Sequence, residues 1–284
     1  MGKGKYTAFA CFMGLAAVLL AVGTFFDLPI DEALYDPQSA FGNFFAAAGM
    51  VPLWTLLPFA TGFLWGTLYA QMSRLKWAWL AALVALALYG TYVLGWALKG
   101  FVGSRHLYGV PWPALVVLTL VLFAAAVPAG VYLSRRHPDE ALVTAVAGVV
   151  AIAGGRYILD HIKVIWGRQR FFTMTDPAVQ FTPWYQPAPV RAASDSFMSF
   201  PSGHSLGAWS TLWLAMFPPL LDAKRAWTQA VAAAAAVFAA ALMVSRMVLG
   251  MHFLSDVTVG AVIFVSLLAL TDWLMERYGR DMLV

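Results

Sequence analysis

A small set of polar residues stands where apolar runs end, and their types suit the handling of an anion. Lys163 and Arg170 are seven apart. Phe200-Pro201-Ser202-Gly203-His204-Ser205 opens an apolar stretch, and Ser245-Arg246, His252 and Asp256 follow in the order S-R-x5-H-x3-D. An Arg offers a planar fork that grips phosphate through two hydrogen bonds, and a Lys adds a point charge. His252 and Asp256, four apart, share one face of a helix that runs through both. Asp256 can then accept from one ring nitrogen of His252, which fixes the tautomer and leaves the other nitrogen to attack or to take a proton. Pro201 suits a first helical turn, and Ser202 can cap it. A helix start presents free N–H groups and positive dipole character to phosphate, and Gly203 lets an anion approach the backbone.

Each piece alone has an ordinary reading. Pro201 to His204 is also how many helices begin, His252 and Asp256 could be a structural pair, and Lys163 and Arg170 could reach out to lipid headgroups. Taken together the pieces fit phosphoryl transfer. The cations and the helix start would stabilise the equatorial charge of a pentavalent phosphorus. One histidine would attack in line while the other protonates the leaving oxygen. No acidic cluster suggests a divalent metal, so the expected reaction needs neither metal nor cofactor.

The elements that must position these residues are membrane helices. Of 284 residues 61% are hydrophobic and 11% charged, whereas a soluble domain carries roughly a quarter charged residues. The 12 Trp and 10 Tyr suit many membrane–water boundaries. The single cysteine, Cys11, excludes an intrachain disulfide and reads as a small buried hydrophobe. The net charge of +4 is explained by membrane topology, and no nucleic-acid partner is expected.

Eight spans are expected, at about 6–26, 46–70, 77–98, 112–133, 141–165, 201–221, 226–249 and 254–274. The fold class is thus all-α, a polytopic helical bundle. Asp27 to Phe45 reads as an acidic outer connection with a short surface helix. Gly167 to Phe200 is the longest polar segment. With the N-terminus in the cytoplasm, each cytoplasmic connection holds a basic pair: Lys3 and Lys5, Arg74 and Lys76, Arg135 and Arg136, Lys224 and Arg225, Arg277 and Arg280. Lys163, Arg170, His204, Arg246 and His252 then all fall on the opposite face, a coincidence the assignment does not build in.

K-x6-R, PSGH and S-R-x5-H-x3-D, in this order, resemble the signature of the type 2 phosphatidic acid phosphatase superfamily. The resemblance covers about Lys163 to Asp256. It implies that Lys163, Arg170 and Arg246 hold the phosphate oxygens with help from Ser202 and Gly203. It implies that His252 is the nucleophile that forms a phosphohistidine, that Asp256 orients it, and that His204 is the general acid. It also implies a six-helix membrane core, placed at residues 77–284, with residues 1–76 as additional transmembrane helices. One departure stands out: the family's first motif usually continues Arg-Pro, and here Phe171 follows Arg170.

The expected protein is therefore an integral membrane phosphatase of the inner (plasma) membrane, with both termini cytoplasmic and its site on the periplasmic or extracellular face. Its partners are membrane lipids and a lipid phosphate or diphosphate substrate: phosphatidate, phosphatidylglycerophosphate, undecaprenyl diphosphate or a lipid A phosphate. No oligomeric state is assigned. Phosphotransfer to an acceptor other than water uses the same histidine chemistry and stays open. A transporter would spread polar residues such as Arg156, Asp160 and His161 through the membrane depth, whereas here they gather towards one face. Arg168 and Arg191 read as solvated loop charges or as holders of a second phosphate or an anionic headgroup. Asp160 and His161 read as supports for Lys163. Phe181 to Tyr185 reads as an interfacial anchor or an entrance lining.

Overall fold

The computed structural model describes residues 3–49, 51–68, 85, 112–189 and 194–282, and among them there is helix and no strand. The long helices are α1 (Lys3–Leu34), α3 (Val51–Leu68), α4 (Trp112–Ser134), α8 (Arg225–Val248) and α9 (Leu254–Met282), with a short α2 (Ala40–Ala48) after α1. α5 (Pro138–Val149) passes through a π-helical turn, Val150–Gly154, into α6 (Gly155–Trp166). Such a turn holds an extra residue and rotates the helix beyond it. The short α7 (Gly203–Trp209) carries the Ser-Gly-His motif. The expected third span, and with it Arg74, Lys76 and the following loop, lies outside the described residues, as does Arg191.

Among the described residues four stretches are long and apolar enough to cross a membrane: Gly4–Leu34, Pro138–Thr173, Arg225–Val248 and Leu254–Tyr278. Leu15, Val18, Phe25 and Phe26 of α1 are exposed apolar side chains, as a lipid-facing stripe requires. Cys11 shares that exposure, so it is not the buried hydrophobe expected of it.

Two expectations about the chain's course are corrected. The acidic connection is partly helix: α1 runs on to Leu34, and Asp27 and Asp31 within it are buried. Asp27 meets an arginine there, which offsets part of the cost of burying its charge. The sixth span is helical only over α7 and then tightens into 3-10 turns at Ser210–Met216 and Pro218–Leu221. The hydroxyls of Ser210 and Thr211 donate to the carbonyls of Gly207 and Ala208, three residues back, at 2.6 and 2.7 Å. That local bonding competes with the α ladder, and Pro218-Pro219 supplies no N–H to restore it.

The core runs along α3, α5, α7 and α9. Trp213 is fully buried, sets its ring against Phe63 and Phe217, and donates Nε1–H to the Thr144 carbonyl at 2.7 Å. α1 packs along α9, and α7 packs against both α8 and α9. Lys5 pairs with Asp272 and Glu276 at 2.8 and 3.0 Å, while Arg136 and His137 pair with Asp222. These charges sit at one end of the bundle. The motif residues sit at the other, where α6 and α8 finish and α7 and α9 start.

Candidate active site

α6 ends where it must for Lys163 and Arg168 to share the site. Gly167 takes φ 60°, ψ 27°, and its N–H bonds the Lys163 carbonyl at 3.0 Å. This left-handed closure suits glycine, and it turns the chain inward one residue before Arg168. Lys163 is buried and its Nζ donates to the Met198 carbonyl. Arg246, near the end of α8, is also buried; Nη2 donates to the Gly42 carbonyl at 3.2 Å and Nε to the Ser245 hydroxyl at 3.4 Å. Among the described residues neither cation has a carboxylate partner. Arg170 does: Nη2 meets Asp195 at 2.7 Å, but that carboxylate is 78% exposed, and the buried Arg170 Nε has no hydrogen-bond partner among the described residues.

Ser202 caps α7, its Oγ accepting from the Ser205 N–H at 3.2 Å. The Ser202 N–H donates in turn to the Asp256 carbonyl at 2.9 Å, and the Ser205 hydroxyl donates to the Val257 carbonyl. The second and third motifs are therefore joined backbone to backbone. Gly203 lies next to the Arg156 guanidinium. The rings of His204 and His252 are 6.4 Å apart between centroids. The structure thus brings Lys163, Arg170, Ser202, Gly203, His204, Arg246, His252 and Asp256 to one end of the bundle.

The relation of His252 to Asp256 differs from the one expected. The His252 Nδ1 donates to the Ser199 carbonyl at 2.6 Å, and Asp256 Oδ2 lies 3.8 Å from that nitrogen, beyond hydrogen-bond reach. Asp256 instead accepts from the Ser199 hydroxyl at 2.5 Å and from the Phe253 N–H at 3.0 Å. Ser199 thus couples the two, holding Asp256 with its side chain and His252 with its carbonyl. Because Nδ1 carries the hydrogen, Nε2 keeps its lone pair. Burial pushes His252 from its usual 6.5 down to about 3, against the pull of nearby Asp256 and with the help of Lys163 and Arg170. The ring is neutral at neutral pH, as a nucleophile must be.

That depression has a consequence for stability. Unfolded chains bind a proton at this ring below about 6.5, whereas the folded protein does not until about 3. Stability present above 6.5 is therefore lost as pH falls towards 3. Unfolding in detergent measured across that window should show a steeper loss for the unaltered protein than for His252→Ala. Equal slopes would mean that the ring is not held neutral.

Arg168 is not a solvated loop charge. It is fully buried, pairs with Asp256 at 2.5 Å and Asp27 at 3.0 Å, and donates to the Ser255 hydroxyl and the Thr182 carbonyl. Phe253 and Phe181 cover its guanidinium at 4.2 and 5.2 Å. Trp184 turns inward as well, donating to Thr24 of α1 at 3.0 Å, so this aromatic stretch roofs the ion cluster while Tyr185 stays exposed. Asp160 and His161 do not support Lys163 by hydrogen bonds: theirs run to Arg156 at 2.7 Å and to the Tyr157 carbonyl at 2.8 Å. Among the described residues no group of three or more His, Cys, Asp or Glu is placed to hold a metal ion.

A family model described as the PAP2 superfamily matches residues 141–280, the segment that carries every motif residue. The chain belongs to the PAP2 superfamily. Among curated proteins and among solved structures, nothing matches it. PAP2 membership supports a phosphatase-type activity, the hydrolysis of a phosphoric ester.

The position after Arg170, where the PAP2 signature usually has proline, is filled by Phe171, which is buried against Tyr35 and Phe253 at ring distances of 5.3 and 6.4 Å. Arg170 itself adopts φ −79°, ψ 140°, the conformation a following proline imposes. The backbone path is thus kept without the proline, and the ring does more than shape the loop. Phe171→Pro should preserve turnover per folded molecule within a few fold yet cost roughly 3 kcal/mol of stability through the lost ring contacts. Paired activity and thermal unfolding assays would check this, and unchanged stability would contradict it.

Proposed function

We propose that this protein is an integral membrane phosphatase that removes phosphate from a lipid phosphate or diphosphate through a phosphohistidine at His252, without a metal. The observation that carries the reading is the charge balance of the site. Among the described residues Lys163 and Arg246 are buried and bonded only to neutral acceptors, and a buried Arg170 N–H has no partner. Buried cations without counter-ions are costly, and a dianionic phosphoryl group would offset that cost. The two histidines stand beside these cations, and His252 has Nε2 available because its Nδ1 is committed to the Ser199 carbonyl.

The steps follow from these groups. Nε2 of His252 attacks phosphorus, the bond to the leaving oxygen breaks, and His204 delivers a proton to that oxygen. Lys163, Arg170 and Arg246 stabilise the equatorial oxygens as charge builds, with Ser202 and Gly203 at the start of α7 adding contacts. Water then attacks the phosphohistidine, His204 takes a proton from it, and phosphate leaves with His252 restored. In this reading eight spans, the first two added to a six-helix core, leave the site on the non-cytoplasmic face, as the basic pairs of the cytoplasmic connections support. A lipid would enter sideways, with its chains still in the bilayer.

The test is phosphate release in detergent from a panel of phosphatidate, phosphatidylglycerophosphate, undecaprenyl diphosphate and lipid A phosphate, with EDTA present throughout. Release that survives EDTA and ranks the lipids supports the reading. No release from any of them would shift it to phosphotransfer or to a non-catalytic role.

A further inference from the structure

The catalytic pair is braced by a helix that the family match does not include. Asp27 lies in α1, far before residues 141–280. Both of its carboxylate oxygens are engaged at the start of α9. Oδ1 accepts from the Ser255 N–H at 3.0 Å; Oδ2 accepts from the Ser255 hydroxyl and from Arg168 Nη2, the latter at 3.0 Å. Arg168 Nη1 meets the Ser255 hydroxyl at 2.9 Å and Asp256 Oδ1 at 2.5 Å. From Asp256 the chain of bonds continues to the Ser199 hydroxyl, and from the Ser199 carbonyl to His252. Asp27, Arg168, Ser255 and Asp256 are each essentially inaccessible, so nothing in this network is shared with solvent.

We propose that Asp27 is a positioning residue for the reaction: from α1 it fixes Arg168 and the first turn of α9, and through them the orientation of Asp256, Ser199 and His252. The contact surface suits that role. α1 comes so close to α9 at Gly23 that an added Cβ would lie 2.8 Å from Asp27 Oδ1 and 3.1 Å from the Ser255 Cβ. An acidic group with both oxygens bonded in a dry site holds its partners to a narrow geometry, because every alternative leaves a buried charge unsatisfied. The N-terminal segment touches the site again at the Gly42 carbonyl, which receives Arg246, and at Tyr35, which packs on Phe171. These helices are accordingly part of the catalytic apparatus as well as of the anchor.

This inference rests on the phosphatase reading, so its test separates the two. Turnover of short-chain phosphatidate and the other panel lipids in detergent would be compared for the unaltered protein, Asp27→Asn, Ser255→Ala and Lys5→Ala. Lys5→Ala removes the ion pairs of Lys5 with Asp272 and Glu276, which join α1 to α9 at the far end of the bundle. Asp27→Asn should lower kcat by about tenfold with KM within twofold, since loss of a supporting partner typically costs 10- to 100-fold. Ser255→Ala should lower kcat less, with the same unchanged KM, and decides the matter if Asp27→Asn does not fold. Lys5→Ala should keep kcat within twofold. An unchanged kcat in a folded Asp27→Asn or Ser255→Ala protein would overturn the proposal. An equal loss in Lys5→Ala would reduce the effect to general helix docking and overturn it too. No turnover of any panel lipid by the unaltered protein would bring down the phosphatase reading, and this inference with it.

Discussion

His252→Ala should abolish turnover of every lipid phosphate the protein accepts, a loss on the order of 10⁴-fold or more. The expectation comes from the surroundings of the ring. Nδ1 is committed to the Ser199 carbonyl, burial keeps the ring neutral, and three cations are gathered on the same end of the bundle. The second histidine, His204, opens α7 and is assigned the proton of the leaving group. The variant should still fold, since its carbonyl partner can be met by water in the space the ring vacates. Phosphate-release assays beside a thermal unfolding curve would check both parts. Residual activity near the unaltered rate would remove His252 from the reaction.

The second large effect belongs to Arg168→Met. The guanidinium is the counter-charge to Asp27 and Asp256, both wholly buried, and Asp31 stands in the same field with two oxygens that have no hydrogen-bond partner among the described residues. Removing one member of a buried pair leaves an uncompensated charge and costs about 3–5 kcal/mol. Unfolding in detergent should register a loss of at least that size, and turnover should fall with it because Asp256 loses a partner. Adding Asp27→Asn to the same chain removes one of the stranded charges and should recover part of the stability. A loss below about 1 kcal/mol, or no recovery in the double variant, would mean that the carboxylates are relieved in some other way.

The comparison of sequence with structure turns on which interactions leave a local trace. The three motifs are legible because each pairs a chemical residue type with a helix end, and because their order is specific. The sequence also predicts helices at α1, α3, α4, α8 and α9, since long apolar runs bounded by charge are the signal of a membrane helix. Arg168 and Asp27 escape that logic. They are 141 residues apart, and each looks like a solvated loop charge until the fold brings them to 3.0 Å. Ser199 leaves even less trace, for half of its contribution is a backbone carbonyl. The direct His252–Asp256 bond expected from four-residue spacing fails for a related reason: α9 starts at Leu254, so His252 precedes the helix and the spacing rule does not reach it. The tightening of the sixth span at Ser210 and Thr211 is signalled only by hydroxyls ahead of Pro218-Pro219, too weak a cue against an apolar run of spanning length.

The most direct test of the central claim is to trap the covalent intermediate. The protein would be mixed with a lipid substrate carrying labelled phosphate in the presence of EDTA, quenched within the first turnover under alkaline conditions that preserve phosphohistidine, and digested for mapping. The account predicts label on the peptide containing His252, absent from His252→Ala and lost on brief acid treatment. Steady turnover with no label on that peptide, or label on another residue, would contradict it.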